Sequence, residues 1–301
     1  MGVLGLVGKT MAWGVVLLAV AIAMIPKLLY TNLPEGLTLD LTEPTTIIIT
    51  GANSGIGLAT VQHFAHNEMA TIIMACRSAS RCEHGKQQVY ENLESQGSSV
   101  KADLRPMLLD LSQKSSIEAF AKELQGQPVH ILIHNAGLVG VTPELFYNQE
   151  DGVEHHIRIN HLGNFYLTHC LWKNNLQKAD HARIVVVSSL TAAPSTNVPT
   201  KGWYKDEGEV IAHNWNIKMY GRSKRANLFF ANELQLRYAE DPHFHTISVA
   251  AAHPGFTHTG TYLLLYFVYN TKQTNKMKMP NNDRRLTSSP CAARMVVYRF
   301  V

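Results

Sequence analysis

The feature that most constrains this fold is the regular alternation of short apolar, β-branched runs with segments of helical length. Each run is a continuous apolar stretch, which suits a strand buried on both faces. The runs are TTIIIT (45–50), TIIMAC (71–76), RPMLLDL (105–111), HILIHNA (130–136), RIVVVSS (183–189) and HTISVAAA (245–252). Helix-length segments lie between them at 55–68, 79–95, 115–125, 150–177 and 221–239. This repetition predicts an α/β fold: a Rossmann-like, doubly wound parallel sheet in three layers.

Length and charge narrow the functional classes. A chain of 301 residues with 46% hydrophobic residues can bury the core of one large domain. The net charge of +4 comes from scattered Lys and Arg, so nucleic acid is not an expected partner. The four cysteines, at 76, 82, 170 and 291, form no CxxC pair, and we expect reduced thiols. None of the fifteen histidines has a metal-site spacing to carboxylates or cysteines, so no metal is expected.

The amino terminus carries an apolar segment. Seventeen residues, 10–26, contain no charge and lie between Lys9 and Lys27, which is the lower limit for a membrane-spanning helix. A cleaved signal peptide and a buried helix are the alternatives; we favour an anchor because the chain has no glycosylation sequon. The predicted organisation is an anchor or signal at 1–30, a linker at 31–44 and one domain at 45–301.

A glycine-rich turn follows the first predicted strand. The sequence TGANSGIG places Gly51, Gly55 and Gly57 between that strand and a helix. Glycines there allow a tight turn and a close approach of the backbone to a phosphate, which the helix amino terminus then binds. A turn that needs positive φ for purely structural reasons is the alternative. The position between strand and helix favours dinucleotide binding.

Two residues at later strand ends refine the cofactor. Arg77 ends the second strand, where an acidic residue would bind the ribose hydroxyls of NAD; a cation suits the 2′-phosphate of NADP. Asp110 ends the third strand, where it could accept a hydrogen bond from the adenine amino group or cap the next helix.

The stretch MYGRSK places Tyr220 four residues before Lys224. Residues four apart on a helix share a face, so the ammonium can approach the phenol. A free tyrosine has a pKa of about 10, and a fixed ammonium nearby is expected to lower it. The spacing alone is compatible with chance, but in this setting it predicts a proton-transfer pair.

The motifs together resemble those of the short-chain dehydrogenase/reductases, between residue 45 and about residue 260. They are TGANSGIGLAT, ACRS, LDLS, HNAG, INHLGNFYLT, RIVVVSS, YGRSKRAN and HPGFTHT, in that order. The most similar branch comprises the membrane-bound retinol dehydrogenases and light-dependent protochlorophyllide reductase.

This resemblance implies roles for individual residues. Tyr220 is the general acid or base, Lys224 its partner, Ser189 the carbonyl anchor, with Ser188 as the near alternative, and Asn160 the residue that holds a relay water. His134 replaces the first Asn of the family's Asn-Asn-Ala-Gly. The NADP(H)-binding residues implied by the turn, the strand ends and the resemblance are Gly51, Asn53, Ser54, Gly55, Ile56, Gly57, Arg77, Asp110, Leu111, Asn135, Ala136, Gly137, Tyr220, Lys224, Gly255, Thr257 and Thr259.

Two regions depart from the family pattern. Thirty residues separate Ser189 from Tyr220, and their aromatics Trp203, Tyr204 and Trp215 are candidate substrate contacts. After Thr259 the chain ends early, so we expect the last edge strand of the sheet to be missing. The apolar stretch 262–269 is too short to span a bilayer and fits a lid helix.

The resemblance implies an NADP(H)-dependent oxidoreductase that interconverts an alcohol and a carbonyl on an apolar retinoid, steroid or lipid-derived substrate. Two other functions stay open: reduction of a carbon–carbon double bond, as in protochlorophyllide reductase, and a nucleotide-binding scaffold without turnover. We expect a membrane-anchored protein of the endoplasmic reticulum, and the sequence leaves a homodimer open.

Overall fold

We describe the fold from a computed structural model. The structure describes residues 41–139, 147–148, 151–192, 215–240, 247–254, 264–265, 267–269 and 299–300. The compact unit that carries the fold is Leu39–Val301.

The described strands form a seven-stranded sheet in the order β3-β2-β1-β4-β5-β6-β8 and a small two-stranded sheet, β7-β9. The first six strands of the large sheet pair in parallel, which confirms the doubly wound arrangement. The strands are β1 (Thr45–Thr50), β2 (Ala70–Cys76), β3 (Asp103–Leu108), β4 (Ile131–His134), β5 (Ala182–Val187), β6 (Ile247–His253), β7 (Leu264–Leu265), β8 (Phe267–Tyr269) and β9 (Arg299–Phe300).

Helices follow most of the parallel strands. They are α1 (Gly55–Phe64), α2 (Ala79–Ser95), α3 (Lys114–Glu123), the single turn α4 (His155–Ile157), a π-helical turn (Arg158–Leu162), α5 (Gly163–Leu171) and α6 (Trp215–Glu240). Three short 3₁₀ or π pieces interrupt the regular elements, the 3₁₀ turns being Leu176–Lys178 and Leu190–Ala192.

Both faces of the sheet are covered. Along β1, Ile48 belongs to one apolar core, and Ile47 and Ile49 belong to the core on the opposite face. This division follows from the strand geometry, since successive side chains point to opposite faces. All three side chains are fully buried, which explains why the strand is apolar throughout rather than alternating.

The edge of the sheet beyond β6 differs from the expected one. Strand β8 pairs antiparallel with β6, with Val268 opposite Ala252. The sequence predicts no further strand at this edge. The structure instead has a short antiparallel strand there. The lid helix expected at 262–269 is wrong for the residues described there, which form strands β7 and β8.

The expectation that all cysteines are reduced thiols is also wrong for one pair. Cys76, at the end of β2, and Cys82, in α2, form a disulfide, with their Cα atoms 5.8 Å apart. Both side chains are buried in the core between the sheet and α2. Among the described residues, Cys170 is the free cysteine.

The apolar amino-terminal segment, 10–26, and the predicted linker lie outside the described residues. Within the described part of the chain, no helix has the length and apolarity needed to cross a bilayer.

Candidate active site

The glycine-rich turn joins β1 to α1 in the way that a phosphate site requires. Gly51 and Gly55 have φ values of +67° and +54°, which side-chain-bearing residues rarely adopt. Ser54 is the N-cap of α1, yet its side chain makes no capping hydrogen bond, and the first turn contains no acidic residue. The N–H groups that begin the helix are therefore available to an anion.

A third glycine sets how closely the turn folds on itself. A Cβ on Gly57 would penetrate the Gly51 carbonyl oxygen and lie 2.6 Å from Asn135 Nδ2. Because Gly57 has no side chain, the first turn of α1 can lie directly against the Gly51 carbonyl and the Asn135 amide.

A cavity of about 350 Å³ opens at the carboxyl ends of β1, β2 and β4. Ligands of doubly wound folds bind at this edge of the sheet. The cavity is lined by Thr50, Gly51, Asn53, Ser54, Ile56, Ala75, Arg77, Leu109, Asp110, Leu111, Asn135, Ala136, Gly137, Leu138 and Ile159. Ten of the residues predicted to bind the cofactor are in this lining.

Arg77 is exposed at one end of the cavity, immediately before Ser78, the N-cap of α2. Its guanidinium can therefore meet an anion beside a helix amino terminus. Asp110 also lines the cavity, but its Oδ1 accepts hydrogen bonds from Ser112 N at 2.9 Å and Ser112 Oγ at 2.6 Å. Its carboxylate thus orders the turn after β3, and any contact to an adenine would add to that role.

Thr50 was missed by the sequence analysis, although it orders the cavity wall. Its hydroxyl oxygen accepts hydrogen bonds from the backbone N–H groups of Asn135, at 3.0 Å, and Ala136, at 2.9 Å. In return, Asn135 Nδ2 donates to the Thr50 carbonyl oxygen at 2.8 Å. These bonds lock the segment after β4 onto the end of β1. The threonine before the glycine turn was the available signal.

The structure brings Tyr220 and Ser189 together. The Ser189 hydroxyl, just after β5, is close enough to the Tyr220 phenol of α6 for a side-chain hydrogen bond that acts to lower the pKa of the phenol. The neighbouring Ser188 is buried and donates instead to the Lys224 carbonyl oxygen at 2.8 Å. Of the two serines, Ser189 therefore faces the Tyr220 phenol, and Ser188 connects the end of β5 to α6.

Lys224 lies between the Tyr220 ring and the cavity wall. Its Nζ is 5.8 Å from the centroid of that ring and donates to the Val187 carbonyl oxygen at 2.9 Å. A Cβ placed on Gly137 would be 3.0 Å from this Nζ, so the ammonium lies directly against the cavity lining. A side chain at this position would require the ammonium to shift by a few tenths of an ångström.

Burial controls both titrating groups. Lys224 is only 3% exposed, and this burial lowers its pKa to about 8. Burial raises the pKa of the Tyr220 phenol, and the hydrogen bond from Ser189 opposes that rise with a smaller effect. The expected net lowering of the Tyr220 pKa is therefore wrong for this structure, because desolvation has the largest effect and shifts the pKa upward.

Asn160 is fully buried in the π-helical turn between α4 and α5. Its Oδ1 accepts from Leu138 N at 2.7 Å, and its Nδ2 donates to the Leu138 carbonyl oxygen and to Ser223 Oγ, both at 3.0 Å. Asn160 thus joins the cavity wall to the residue that precedes Lys224.

Two more glycines without a predicted role bring helices against the site. A Cβ on Gly85, in α2, would lie 2.9 Å from Asn53 Cα in the glycine turn. A Cβ on Gly163, at the start of α5, would penetrate the Leu111 carbonyl oxygen. Each glycine lies inside a helical segment, where glycine is normally destabilising. That unfavourable placement was the sequence feature that could have indicated a close packing contact.

Three predicted cofactor residues, Gly255, Thr257 and Thr259, lie outside the described residues, as do the candidate substrate contacts Trp203 and Tyr204. For Trp215 the structure describes the backbone alone. Within the described ranges, no group of three or more His, Cys, Asp or Glu side chains is arranged to hold a metal ion.

The lowered pKa of Lys224 predicts a pH-dependent stability difference between the wild type and Lys224→Met. The unfolded value is near 10.5 and the folded value about 8, so between them the unfolded chain binds more protons. Wild-type stability should therefore rise, relative to the variant, by about 2 kcal/mol from about pH 7 to about pH 9.5. Urea unfolding of both proteins at the two pH values measures this change. Parallel stabilities would show that Lys224 is not a desolvated cation.

Known proteins are similar to this chain over most of the described fold. A model of the short chain dehydrogenase family matches residues 45–204. The WW domain-containing oxidoreductase of Gallus gallus is 36% identical over 69% of this chain and 48% of its own length. Retinol dehydrogenase 14 of Mus musculus is 34% identical over 71% of this chain and 61% of its own length. The chain therefore spans about half to three fifths of these relatives.

Among solved structures, an uncharacterised protein from Mycobacterium paratuberculosis is 32% identical. It superposes with a TM-score of 0.56 over 73% of this chain and 72% of its own. The similarity thus extends beyond sequence motifs to the arrangement of the sheet and helices.

Proposed function

The chain belongs to the short-chain dehydrogenase family, and from this premise we propose that it is an NADP(H)-dependent oxidoreductase that interconverts an alcohol and a carbonyl. One observation carries the proposal: the Lys224 ammonium lies against Gly137, a residue of the cavity wall, and 5.8 Å from the ring centroid of Tyr220, whose phenol interacts with the Ser189 hydroxyl. A proton donor, an oxygen anchor and a cation thus adjoin a dinucleotide-type cavity.

The residues present fit the cofactor. The free helix amino terminus and the side-chain-free turn at Gly57 suit a pyrophosphate, and Lys224 beside Gly137 suits the ribose of the nicotinamide half. When bound, NADP(H) supplies or accepts hydride at the nicotinamide ring.

The protein supplies placement and proton transfer. The Ser189 hydroxyl donates to the substrate oxygen, and the Tyr220 phenol donates its proton to the same oxygen as charge develops there during reduction. The phenolate that results lies near Lys224, whose ammonium stabilises it. Alcohol oxidation uses the same groups in reverse, with Tyr220 as the base. Asn160 holds Leu138 and Ser223 in place through the three hydrogen bonds of its side chain.

The preference for NADP(H) rests on Arg77, and Arg77→Asp should reverse it. The guanidinium can pair with a 2′-phosphate, whereas a carboxylate would repel that phosphate and accept from ribose hydroxyls. We expect the ratio of NADPH to NADH affinities to fall by about a hundredfold. Fluorescence titration with each cofactor measures both affinities.

Lys101→Asp makes the same charge change at an exposed position outside the cavity lining and should leave the ratio unaltered. An unchanged ratio in Arg77→Asp would remove Arg77 from the binding site.

We propose an apolar substrate, a retinoid, a steroid or another lipid-derived alcohol or carbonyl. The support is the similarity to a retinol dehydrogenase and the aromatic residues of the segment before Tyr220. The test is NADPH oxidation by the detergent-solubilised full chain with all-trans-retinaldehyde, steroid ketones and aliphatic aldehydes. Consumption of NADPH with an apolar member of this panel is the expected result. Binding of NADPH without turnover on any member would favour a nucleotide-binding scaffold.

We also propose that residues 10–26 anchor the protein in a membrane, with the endoplasmic reticulum as its location. The support is their length without charge between Lys9 and Lys27. A spanning helix should keep the full chain in the membrane fraction through alkaline carbonate extraction, and release into the supernatant would contradict it.

A further inference from the structure

The buried His134 and the half-buried His161 are each connected to Asn160 through the side-chain amide of another asparagine. On one side, His134 Nδ1 lies 3.0 Å from Asn164 Oδ1, and Asn164 Nδ2 donates to the Asn160 carbonyl oxygen at 2.9 Å. On the other side, His161 Nδ1 lies 3.1 Å from Asn227 Oδ1, and Asn227 Nδ2 donates to the same oxygen at 2.9 Å. Two amides therefore converge on one main-chain oxygen.

Hydrogen-bond chemistry fixes which atom donates in each of these two series, from histidine through asparagine to the Asn160 carbonyl oxygen. Since Nδ2 of each amide donates to Asn160, the Oδ1 of each amide must accept, so both imidazoles must carry a proton on Nδ1. Burial lowers the pKa of both rings, that of His134 to about 4, so both are neutral at physiological pH. The remaining nitrogen of His134, Nε2, lies 2.7 Å from the Thr168 hydroxyl and, in this tautomer, accepts its proton in place of the Asn164 carbonyl oxygen, which lies 3.1 Å from the same hydroxyl.

Asn160, whose carbonyl oxygen accepts from both amides, lies in the π-helical turn. Gly163 N donates to the Arg158 carbonyl oxygen, five residues earlier, rather than four as in an α-helix. The wider turn contains Asn160, and π turns of this kind often mark functional positions. The ring of Phe230, in α6, lies against both histidines, with centroid distances of 6.4 Å to His134 and 6.2 Å to His161.

We propose that His134 and His161 are positioning residues, which act through Asn164 and Asn227 to hold Asn160 between the cavity wall and the catalytic helix. This inference rests on the proposed function, because it explains how that site is assembled. A displaced Asn160 would release both its bonds to Leu138 and its bond to Ser223, whose own hydroxyl donates to the Tyr220 carbonyl oxygen at 2.7 Å. The geometry of Tyr220 and Lys224 would change while the glycine turn stays intact.

Asparagine and glutamine at position 134 separate this role from simple packing. An Asn side chain places its amide donor near the position of His Nδ1, so His134→Asn keeps the bond to Asn164. A Gln side chain reaches the position of Nε2 and loses that bond. His134→Leu removes both polar contacts and leaves Asn164 Oδ1 buried without a donor. The same three substitutions apply at His161, and His84→Gln, at an exposed position of α2, is the matched control.

The expected kinetic result is a loss in kcat with little change in KM. The Gln and Leu variants at 134 and 161 should lose about tenfold or more in kcat, with KM values for NADPH and retinaldehyde within about threefold of wild type. The Asn variants and His84→Gln should retain kcat within about threefold. Both series of hydrogen bonds end on the Asn160 carbonyl oxygen. The double Leu variant should therefore lose less kcat than the product of the two single losses.

Hydrogen exchange provides a readout that needs no turnover. The Leu138 amide donates to Asn160 Oδ1, so its exchange should accelerate in the Gln and Leu variants and stay slow in the Asn variants. Equal kcat and equal Leu138 exchange in the Asn and Gln variants would overturn the inference, even where a Leu variant fails to fold. If the wild type oxidises no NADPH with the substrate panel, the proposed function fails separately, and the exchange rates still decide the positioning role.

Discussion

Tyr220→Phe is expected to abolish turnover while leaving NADPH binding nearly unchanged. The substitution deletes one hydroxyl, which is the proposed proton donor, and preserves the ring, which contacts His156 edge-on with centroids 6.3 Å apart. We expect kcat to fall by about 1,000-fold or more and the Kd for NADPH to change by less than about twofold. Initial rates of NADPH oxidation with retinaldehyde and a fluorescence titration of NADPH measure the two quantities.

Tyr238→Phe is the matched control on the same helix. The Tyr238 ring is buried and stacks on Trp172, with centroids 4.7 Å apart, well away from the Ser189 hydroxyl that marks the site. This variant should keep wild-type kcat. A Tyr220→Phe variant with substantial turnover would remove Tyr220 from the proton-transfer role, and a large loss of NADPH binding would make it mainly a cofactor contact.

Gly57→Ala should abolish cofactor binding. The new Cβ would penetrate the Gly51 carbonyl oxygen and lie 2.6 Å from Asn135 Nδ2, so the turn must open. Because backbone atoms cannot yield as flexible side chains do, we expect NADPH affinity to fall by at least about a hundredfold. Fluorescence titration measures the affinity, and circular dichroism shows whether the sheet and helices are retained.

Gly97→Asn controls for the loss of a glycine elsewhere. Gly97 follows α2 with φ +70°, and a Cβ there would meet no atom within 4 Å. Asparagine tolerates such a φ better than other residues with side chains, so this variant should fold and bind NADPH normally. Tight NADPH binding by Gly57→Ala would contradict the assignment of the glycine turn as the pyrophosphate site.

The sequence predicted the sheet well because its strands are buried on both faces. Strand β1 begins and ends at the predicted residues, Thr45 and Thr50. Its three consecutive isoleucines are β-branched and apolar, which favours a strand buried on both faces. Helix α2 likewise spans the predicted 79–95. Helix α6 instead begins at Trp215, before the polar residues from which the sequence predicted its start.

The contacts that assemble the site could not be predicted, because they join residues distant in the chain. The Asn160 carbonyl oxygen meets Asn227, 67 residues later, and His134 meets Asn164, 30 residues later. Neither spacing has a periodic signature. The Cys76–Cys82 disulfide escaped notice for a related reason: a turn between β2 and α2 brings together two cysteines whose spacing matches no common motif.

The choice between Ser188 and Ser189 shows the same limit. Adjacent residues on a strand point to opposite faces, so one serine had to face the site and the other the core, but the sequence alone did not say which. The structure gives Ser189 the hydrogen bond to Tyr220 and buries Ser188 against the Lys224 carbonyl oxygen.

The most direct test of the central claim is to follow the hydride itself. NADPH carrying deuterium at both positions of the nicotinamide C4 is incubated with the full chain and all-trans-retinaldehyde, and the product is analysed by mass spectrometry. The proposed function predicts an alcohol with one deuterium on the carbon that bore the aldehyde oxygen. Deuterium on a former double-bond carbon, or a product without deuterium, would contradict it.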